Sequence, residues 1–228
     1  DLDGATADDN FGYSVSFSDD GSILAVGSPN FDGNGSNAGR VYIYEFSNGS
    51  WSQVGSGIDG GTAGDTFGQA VSINSTGDRV AVGAPGNGAG HVSIFQYNAG
   101  NWTQLGSDID GEAAGDMSGY SVALSDAGDT VAIGAPENDG NGSNSGHVRL
   151  YDWNGTAWVQ RGADLDGETS DDLSGSSVSI NSIGSTVVIG ATGNNGNGAD
   201  SGHSRVYDWP TTTTLVHTAG VDEIDFNN

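Results

Sequence analysis

The chain of 228 residues has no cysteine and no lysine, a single methionine and four prolines. Without cysteine there is no disulfide framework and no thiol chemistry, although this leaves the compartment undecided. The five basic residues are all arginines, set against 30 acids, for a net charge of −25. That charge repels phosphate backbones and anionic lipid, so nucleic acid and membrane surfaces are poor partners. No apolar run approaches the ~18–20 residues of a membrane-spanning helix, so no membrane insertion is expected. Nor does any window carry a 3.6-residue apolar stripe, which argues against a helical bundle. Catalytic signatures are also missing: there is no G-x-S-x-G elbow, H-E-x-x-H helix or phosphate-binding loop. Carboxylates are plentiful, but no pair is singled out for glycoside hydrolysis. The chain is therefore expected not to be an enzyme. It starts at Asp1 inside a repeated motif and shows no signal peptide, as expected of a mature form or an excised piece.

What is present is glycine, 40 residues of it, beside a hydrophobic fraction of 34% that supports a core. Of the acids, 25 are Asp and only 5 are Glu, and Asp is the acid of turns and metal loops rather than of helices. The tetrapeptide Asp1-Leu2-Asp3-Gly4 returns as Gly57-Ile58-Asp59-Gly60, Asp108-Ile109-Asp110-Gly111 and Asp164-Leu165-Asp166-Gly167. The glycines are spaced by 56, 51 and 56 residues, with one shorter loop (Gly86 to Gly90) in the second copy. Approximate repeats of 5–60, 61–111, 112–167 and 168–225 fill one domain over 1–228.

Within the third copy, Tyr120 to Ser125, Thr130 to Ala135, His147 to Trp153 and Trp158 to Leu165 read as strands. Each is a short run rich in Val, Ile, Tyr and Trp, with period-two alternation and Gly/Asn/Asp boundaries. One copy is thus a four-stranded antiparallel meander. Such a sheet cannot bury its own faces, so the copies are expected to stack face to face around an axis. The fold class is all-β, a β-propeller of four-stranded antiparallel blades.

Phe11-Gly12 followed by Val26-Gly27-Ser28-Pro29, and Phe67-Gly68 followed by Val82-Gly83-Ala84-Pro85, resemble the FG-GAP repeat of integrin alpha-chain propellers. Copies three and four relax the pattern to Ser118-Gly119 with Gly134-Ala135-Pro136, and Ser174-Gly175 with Gly190-Ala191-Thr192. The resemblance implies one propeller blade per copy, a secreted or cell-surface location, and ligand binding or adhesion. Integrin repeats often carry a calcium loop between their first two strands. Here two of the four equivalents, Asn74-Ser75-Thr76-Gly77 and Asn181-Ser182-Ile183-Gly184, contain no acid, and all four read as plain hairpin turns. The family has seven copies against four here. Closure of four blades, an eight-bladed dimer and a piece of a longer array all stay open. The tail Val221 to Asn228 is similar to linkers that precede the sorting domain of Bacteroidetes type IX-secreted proteins.

The most regular polar feature is a pair of aspartates six apart: Asp3 with Asp9, Asp59 with Asp65, Asp110 with Asp116, and Asp166 with Asp172. They are candidate calcium ligands in the connection between blades. Alternatively, the first caps a turn and the second orders the next loop. A second candidate is the loop after the G-A-P segment, with Asp32 and Asn34 in copy one and Asp139 and Asn141 in copy three. Its alternating oxygen side chains and glycines resemble the opening of a calcium loop, and equally a surface turn. His91, His147 and His203 occupy equivalent places and would lie too far apart around a ring to share one zinc ion. Trp51, Trp102 and Trp158, with Gln53, Gln104 and Gln160, serve either as sugar-stacking platforms or as blade-to-blade packing. The leading expectation is a calcium-stabilised, non-catalytic adhesion or binding module for an extracellular protein or glycan. A structural subunit of a surface layer or fibre and a lectin-like propeller are the alternatives, and a homo-oligomer is expected if four blades do not close alone.

Overall fold

Short alternating runs separated by Asp/Asn/Gly turns leave antiparallel hairpins as the local solution. The computed structural model describes residues 1–209 and 222–224, and it contains no helix among them. Sheet one comprises β1 (Ser14–Phe17), β2 (Ile23–Ser28), β3 (Arg40–Ser47), β4 (Ser50–Gln53) and β5 (Ile58–Asp59). Sheet two comprises β6 (Ala70–Ile73), β7 (Arg79–Ala84), β8 (His91–Asn98), β9 (Asn101–Gln104) and β10 (Ile109–Asp110). Sheet three comprises β11 (Ser121–Leu124), β12 (Thr130–Ala135), β13 (His147–Trp153), β14 (Trp158–Gln160) and β15 (Leu165–Asp166). Sheet four comprises β16 (Ser174–Ile180), β17 (Thr186–Ala191), β18 (His203–Asp208) and β19 (Asp222–Ile224). Every sheet is an antiparallel meander, as expected. The rest of the expected tail similarity, at 221 and 225–228, lies outside the described residues.

One expectation fails in detail. The outer strand is not continuous over Trp158 to Leu165, because β14 and β15 are separate pieces that both pair with β13. Tyr151 faces Gln160 and Val148 faces Leu165, so the outer strand carries two extra residues between those pairs. Gly162 turns that bulge with φ of 71°, a conformation an L side chain resists. The Gln160 amide clamps it by donating to Asp164 Oδ1 at 2.6 Å. Gln104 does the same to Asp108 in sheet two, also at 2.6 Å. Gly162, two places after Gln160, marks the break, and Gly55 and Gly106 stand at the same place after Gln53 and Gln104.

The hydrophobic core lies between sheets, not within them. Three clusters fill the three joints, centred on Ile43 and Val80, on Ile94 and Val131, and on Leu150 and Val187. Trp102 and Trp158 seal two of these joints, each donating its indole N–H to the preceding sheet, at the Val54 and Leu105 carbonyls (3.0 and 2.8 Å). This is the packing role, and it accounts for two of the three repeated tryptophans.

The FG and GAP glycines form a close backbone contact at each joint. A Cβ on Gly27, Gly83 or Gly134 would lie 2.1, 1.9 or 2.2 Å from the carbonyl oxygen of Gly68, Gly119 or Gly175 in the next sheet. Those partner glycines hold φ of 88–92° and each sits where only a residue without a side chain lets two backbones meet. Ser14 and Ser121 hydroxyls reach across to the Gly68 and Gly175 carbonyls, both at 2.7 Å.

The array is an open arc. Val71, Ile73 and Leu124 pack against the preceding sheet at 9%, 6% and 8% exposure, whereas the equivalent Val15 and Phe17 of β1 are 61% and 54% exposed. At the other end, Val188 takes the place of the fully buried Ala81 and Ala132 and is 38% exposed. Gly12 would meet nothing through a Cβ, and Gly190 only side-chain and backbone atoms of Ser177 in its own sheet. Substituting Gly83→Ala should therefore cost about 3 kcal/mol, and Gly190→Ala less than about 1 kcal/mol, in urea unfolding followed by tryptophan fluorescence. Equal costs would mean that the far face of sheet four is covered in solution.

Candidate functional site

The repeated aspartates lie at one rim, in the connections that carry the chain from sheet to sheet. The members of each pair do different work, since the first is exposed and the second buried in all four copies. Asp59 makes a two-pronged ion pair with Arg40. The Asp110 carbonyl accepts Arg149 Nη2 at 2.7 Å, and the Asp166 carbonyl accepts Arg205 Nη2. Asp3 precedes the first sheet and is exposed.

The second members hold the next loop. Asp65 Oδ2 accepts the Thr62 amide at 2.7 Å, and Asp116 Oδ2 accepts the Ala113 amide at 2.9 Å. Asp172 accepts the amides of Thr169 and Glu168, the Thr169 hydroxyl and the Asn194 amide group. Backbone carbonyls of Asp9, Asp65, Asp116 and Asp172 accept the amides of Asn30, Gly86, Glu137 and Gly193, which follow the GAP strand. Each buried aspartate thus ties the entry of its blade to the loop at the end of the second strand. Among the described residues, no grouping of three His, Asp or Glu able to share an ion includes these paired aspartates.

The loops after the GAP strand are similarly self-bonded. Asp32 Oδ1 accepts the Asn37 amide and Asp139 Oδ1 the Asn144 amide, each at 2.8 Å. Asn34 and Asn141 donate to the Gly60 and Gly167 carbonyls at 2.9 and 2.7 Å, pinning each loop to the connection that leaves its blade. In copy three, the connection entering sheet three and the loop after its GAP strand enclose a cleft of about 400 Å³, lined by Asp116, Glu137, Asp139 and Asn144 among others. Two of the sequence candidates, Asp116 and Asp139, therefore meet around one cavity.

The four hairpin turns between first and second strands close with the glycine amide on the carbonyl three residues back, at 2.8–3.1 Å, as plain turns. They also chain together, because Asp19, Ser75 and Asp126 amides donate to the Ser75, Asp126 and Ser182 carbonyls of the following turn. The three histidines start β8, β13 and β18, on separate sheets. His147 is 1% exposed; burial, together with Arg149, holds its imidazole below the ordinary range despite the nearby Asp164, Glu112 and Asp166.

Sequence reasoning missed a second group, the residues directly after each FG-type glycine. These are Tyr13, Gln69, Tyr120 and Ser176, at the entry of the first strand of each sheet. Gln69 donates to the Tyr13 hydroxyl at 2.8 Å. Tyr120 and Ser176 share a cleft of about 340 Å³ with Met117, Glu137, Leu173 and Thr192. First strands of neighbouring sheets adjoin, with Ile73 and Leu124 amides donating to the Ser16 and Ser72 hydroxyls. The four positions consequently follow one another along the inner mouth of the arc. The available signal was variation: this position changes from each copy to the next while the glycine before it does not.

Asp172 gives a test of the structural role. Burial alone would raise its pKa, but the hydrogen bonds from Thr169, Asn194 and Glu168 outweigh that and lower it. A depressed folded-state pKa gives stability that is fully present above the unfolded value of ~3.9 and is lost as pH falls through the folded value. Asp172→Asn should lose about 1.5–3 kcal/mol at pH 7 and flatten the acid limb of a melting-temperature series below pH ~4.

Among curated proteins none matches the chain. The FG-GAP repeat model matches residues 2–44 and 108–151. In three dimensions the chain is similar to a Bacteroides uniformis protein assigned as a 6-phosphogluconolactonase, with a TM-score of 0.59 and 14% identity over 92% of this chain and 52% of that one. It is similar to the periplasmic gluconolactonase of Pseudomonas aeruginosa, with a TM-score of 0.58 and 14% identity over 93% and 56%. A third likeness is to hydrazine synthase of Kuenenia stuttgartiensis, with a TM-score of 0.54 and 15% identity over 87% and 51%. Such identities speak to fold alone, and the chain spans about half the length of these structures. The chain thus matches the FG-GAP repeat model at 2–44 and 108–151 and folds as an arc of propeller-type four-stranded blades.

Proposed function

We propose that this chain is a non-catalytic binding module of a secreted or cell-surface propeller, presenting its inner mouth to an extracellular protein or glycan. The observation that carries this reading is the division of labour at that mouth. Tyr13, Gln69, Tyr120 and Ser176 stand at one repeated place on a frame of fixed glycines, yet the side chain there changes from each copy to the next, with tyrosine in two of the four. Tyr13 and Tyr120 are 55% and 37% exposed. Exposed tyrosines beside a small cleft offer a flat apolar face with a polar tip, the chemistry of protein and sugar recognition. Calcium is the proposed stabilising ion, at the cleft lined by Glu137, Asp139 and Asn144, where it also relieves the self-repulsion of the acidic chain. In this reading the paired aspartates order the loops that flank such sites.

The immobilised chain, presented with glycans and with extracellular-matrix proteins in calcium buffer, should capture members of one class. Capture should fall at least tenfold in a Tyr13→Ala, Tyr120→Ala double variant, and chelation should lower the melting temperature of the wild type but not of Asp139→Asn. Capture unchanged by the tyrosine substitutions sinks the mouth as the binding site, and a melt indifferent to chelator sinks calcium.

A second reading, a structural subunit that assembles with copies of itself, is favoured by the uncovered faces of sheets one and four. Phe17, Phe46 and Trp51 cluster on sheet one at ring separations of 5.2–5.9 Å, with Phe46 47% exposed. Sedimentation velocity should then show concentration-dependent growth that Phe17→Asp abolishes, whereas a monomer at all concentrations removes this reading.

A further inference from the structure

We propose a zinc-class metal site at the joint of sheets two and three, formed by Glu112, His147 and Asp164. The three ligand atoms, one from each residue, lie within 4.8 Å of one another. Nδ1 of His147 is 3.8 Å from Glu112 Oε2 and 3.7 Å from Asp164 Oδ2, too long for hydrogen bonds. That nitrogen is buried and has no hydrogen-bond partner, while the side chain as a whole is 1% exposed. A tetrahedral zinc ion with bonds of ~2.0–2.2 Å places ligand atoms about 3.4 Å apart, so the two His147 distances need contract by only a few tenths of an ångström, and the half-exposed Glu112 is free to swing in toward Asp164.

The oxygens not facing His147 have protein neighbours of their own. Glu112 Oε1 lies 3.9 Å from Arg149 Nη1, and Arg149 is itself anchored through Nη2 on the Asp110 carbonyl. Asp164 Oδ1 accepts the Gln160 amide at 2.6 Å. Asp164 therefore has one oxygen fixed by a hydrogen bond and the other turned toward the imidazole, the outer-sphere support that metal-binding carboxylates have, while Glu112 is oriented by the charge of Arg149 alone. One nitrogen and two oxygens suit a first-row divalent ion better than calcium, which takes oxygen alone. Bound there, the ion links the connection leaving sheet two to β13 and to the bulge before β15, with a fourth position for water.

Only sheet three assembles the full set among the described residues. Sheet two has Gly61 where Glu112 stands, and its Asp108 accepts the Ser93 hydroxyl. Sheet one has Arg40 in place of the histidine and Gly57 in place of Asp164. Sheet four repeats the pair, with His203 Nδ1 3.8 Å from Glu168 Oε2 and Arg205 Nη1 3.9 Å from Glu168 Oε1.

The test is calorimetric titration of chelator-stripped full chain with zinc, in buffer that keeps millimolar calcium present. Wild type should bind about one zinc ion and melt at a higher temperature with it. Glu112→Gln, whose side chain is half exposed, and Asp164→Asn should each weaken binding by about tenfold or more, and His147→Gln should abolish it. Asp139→Asn, which belongs to the separate calcium reading, should bind zinc as wild type does. No zinc uptake by the wild type, undiminished affinity in both carboxylate variants, or an equal loss in Asp139→Asn would each overturn the assignment.

Discussion

The whole arrangement depends on two backbones touching where no side chain intervenes. The second strand of one sheet and the entry to the first strand of the next meet at a pair of glycines, with a carbonyl oxygen occupying the space a Cβ would need. That contact sets the distance between sheets at its closest point, and every other feature of the joint follows from it. Serine hydroxyls become long enough to bridge from strand to strand. Farther out, the sheets diverge, and Val, Ile, Leu and finally Trp fill a widening gap. The glycine contact and the apolar clusters together fill the joint between two twisted sheets.

The acids make sense on the same frame. A chain carrying −25 would repel itself if its carboxylates were spread without partners. Instead, the short aspartate side chain reaches backbone amides two or three residues away, which the longer glutamate does less well. Asp65, Asp116 and Asp172 satisfy loop amides in this way, and Asp20 does so in a hairpin turn by accepting the Ser22 amide. The structure spends much of its negative charge on ordering loops that have no sheet partner.

The four-stranded meanders, the plain hairpin turns and the face-to-face stacking were legible because each rests on local periodicity or on a glycine at a fixed offset. Less was visible where the cause lies in another sheet. The break in the outer strand at Gly162 was concealed because Trp158 to Leu165 alternates like one strand, and only pairing with both ends of β13 reveals the two extra residues. The aspartate pairs read equally as metal ligands or as turn residues, since spacing does not say which oxygen meets an amide. Glu112 and Asp164 drew no attention because they lie 52 residues apart in the chain and meet through His147 of the strand between them. Tyr13 and Tyr120 were overlooked for the opposite reason: a search for repeats discards what varies, and the mouth is where variation is informative.

The two ends of the arc complete the logic of the joint. Sheet one presents Val15, Phe17 and Gly12, the half that elsewhere receives a preceding sheet. Sheet four presents Val188 and Gly190, the half that elsewhere receives a following one. These halves are complementary in kind, yet not copies of the interior joints. Val188 is larger than the alanine at its three equivalents, and Phe17 is larger than Ile73 or Leu124. Bulk at both positions would overfill a joint built to the internal dimensions. A blade that covers either face must therefore offer a smaller residue opposite it, so the ends select their neighbour by volume as well as by hydrophobicity.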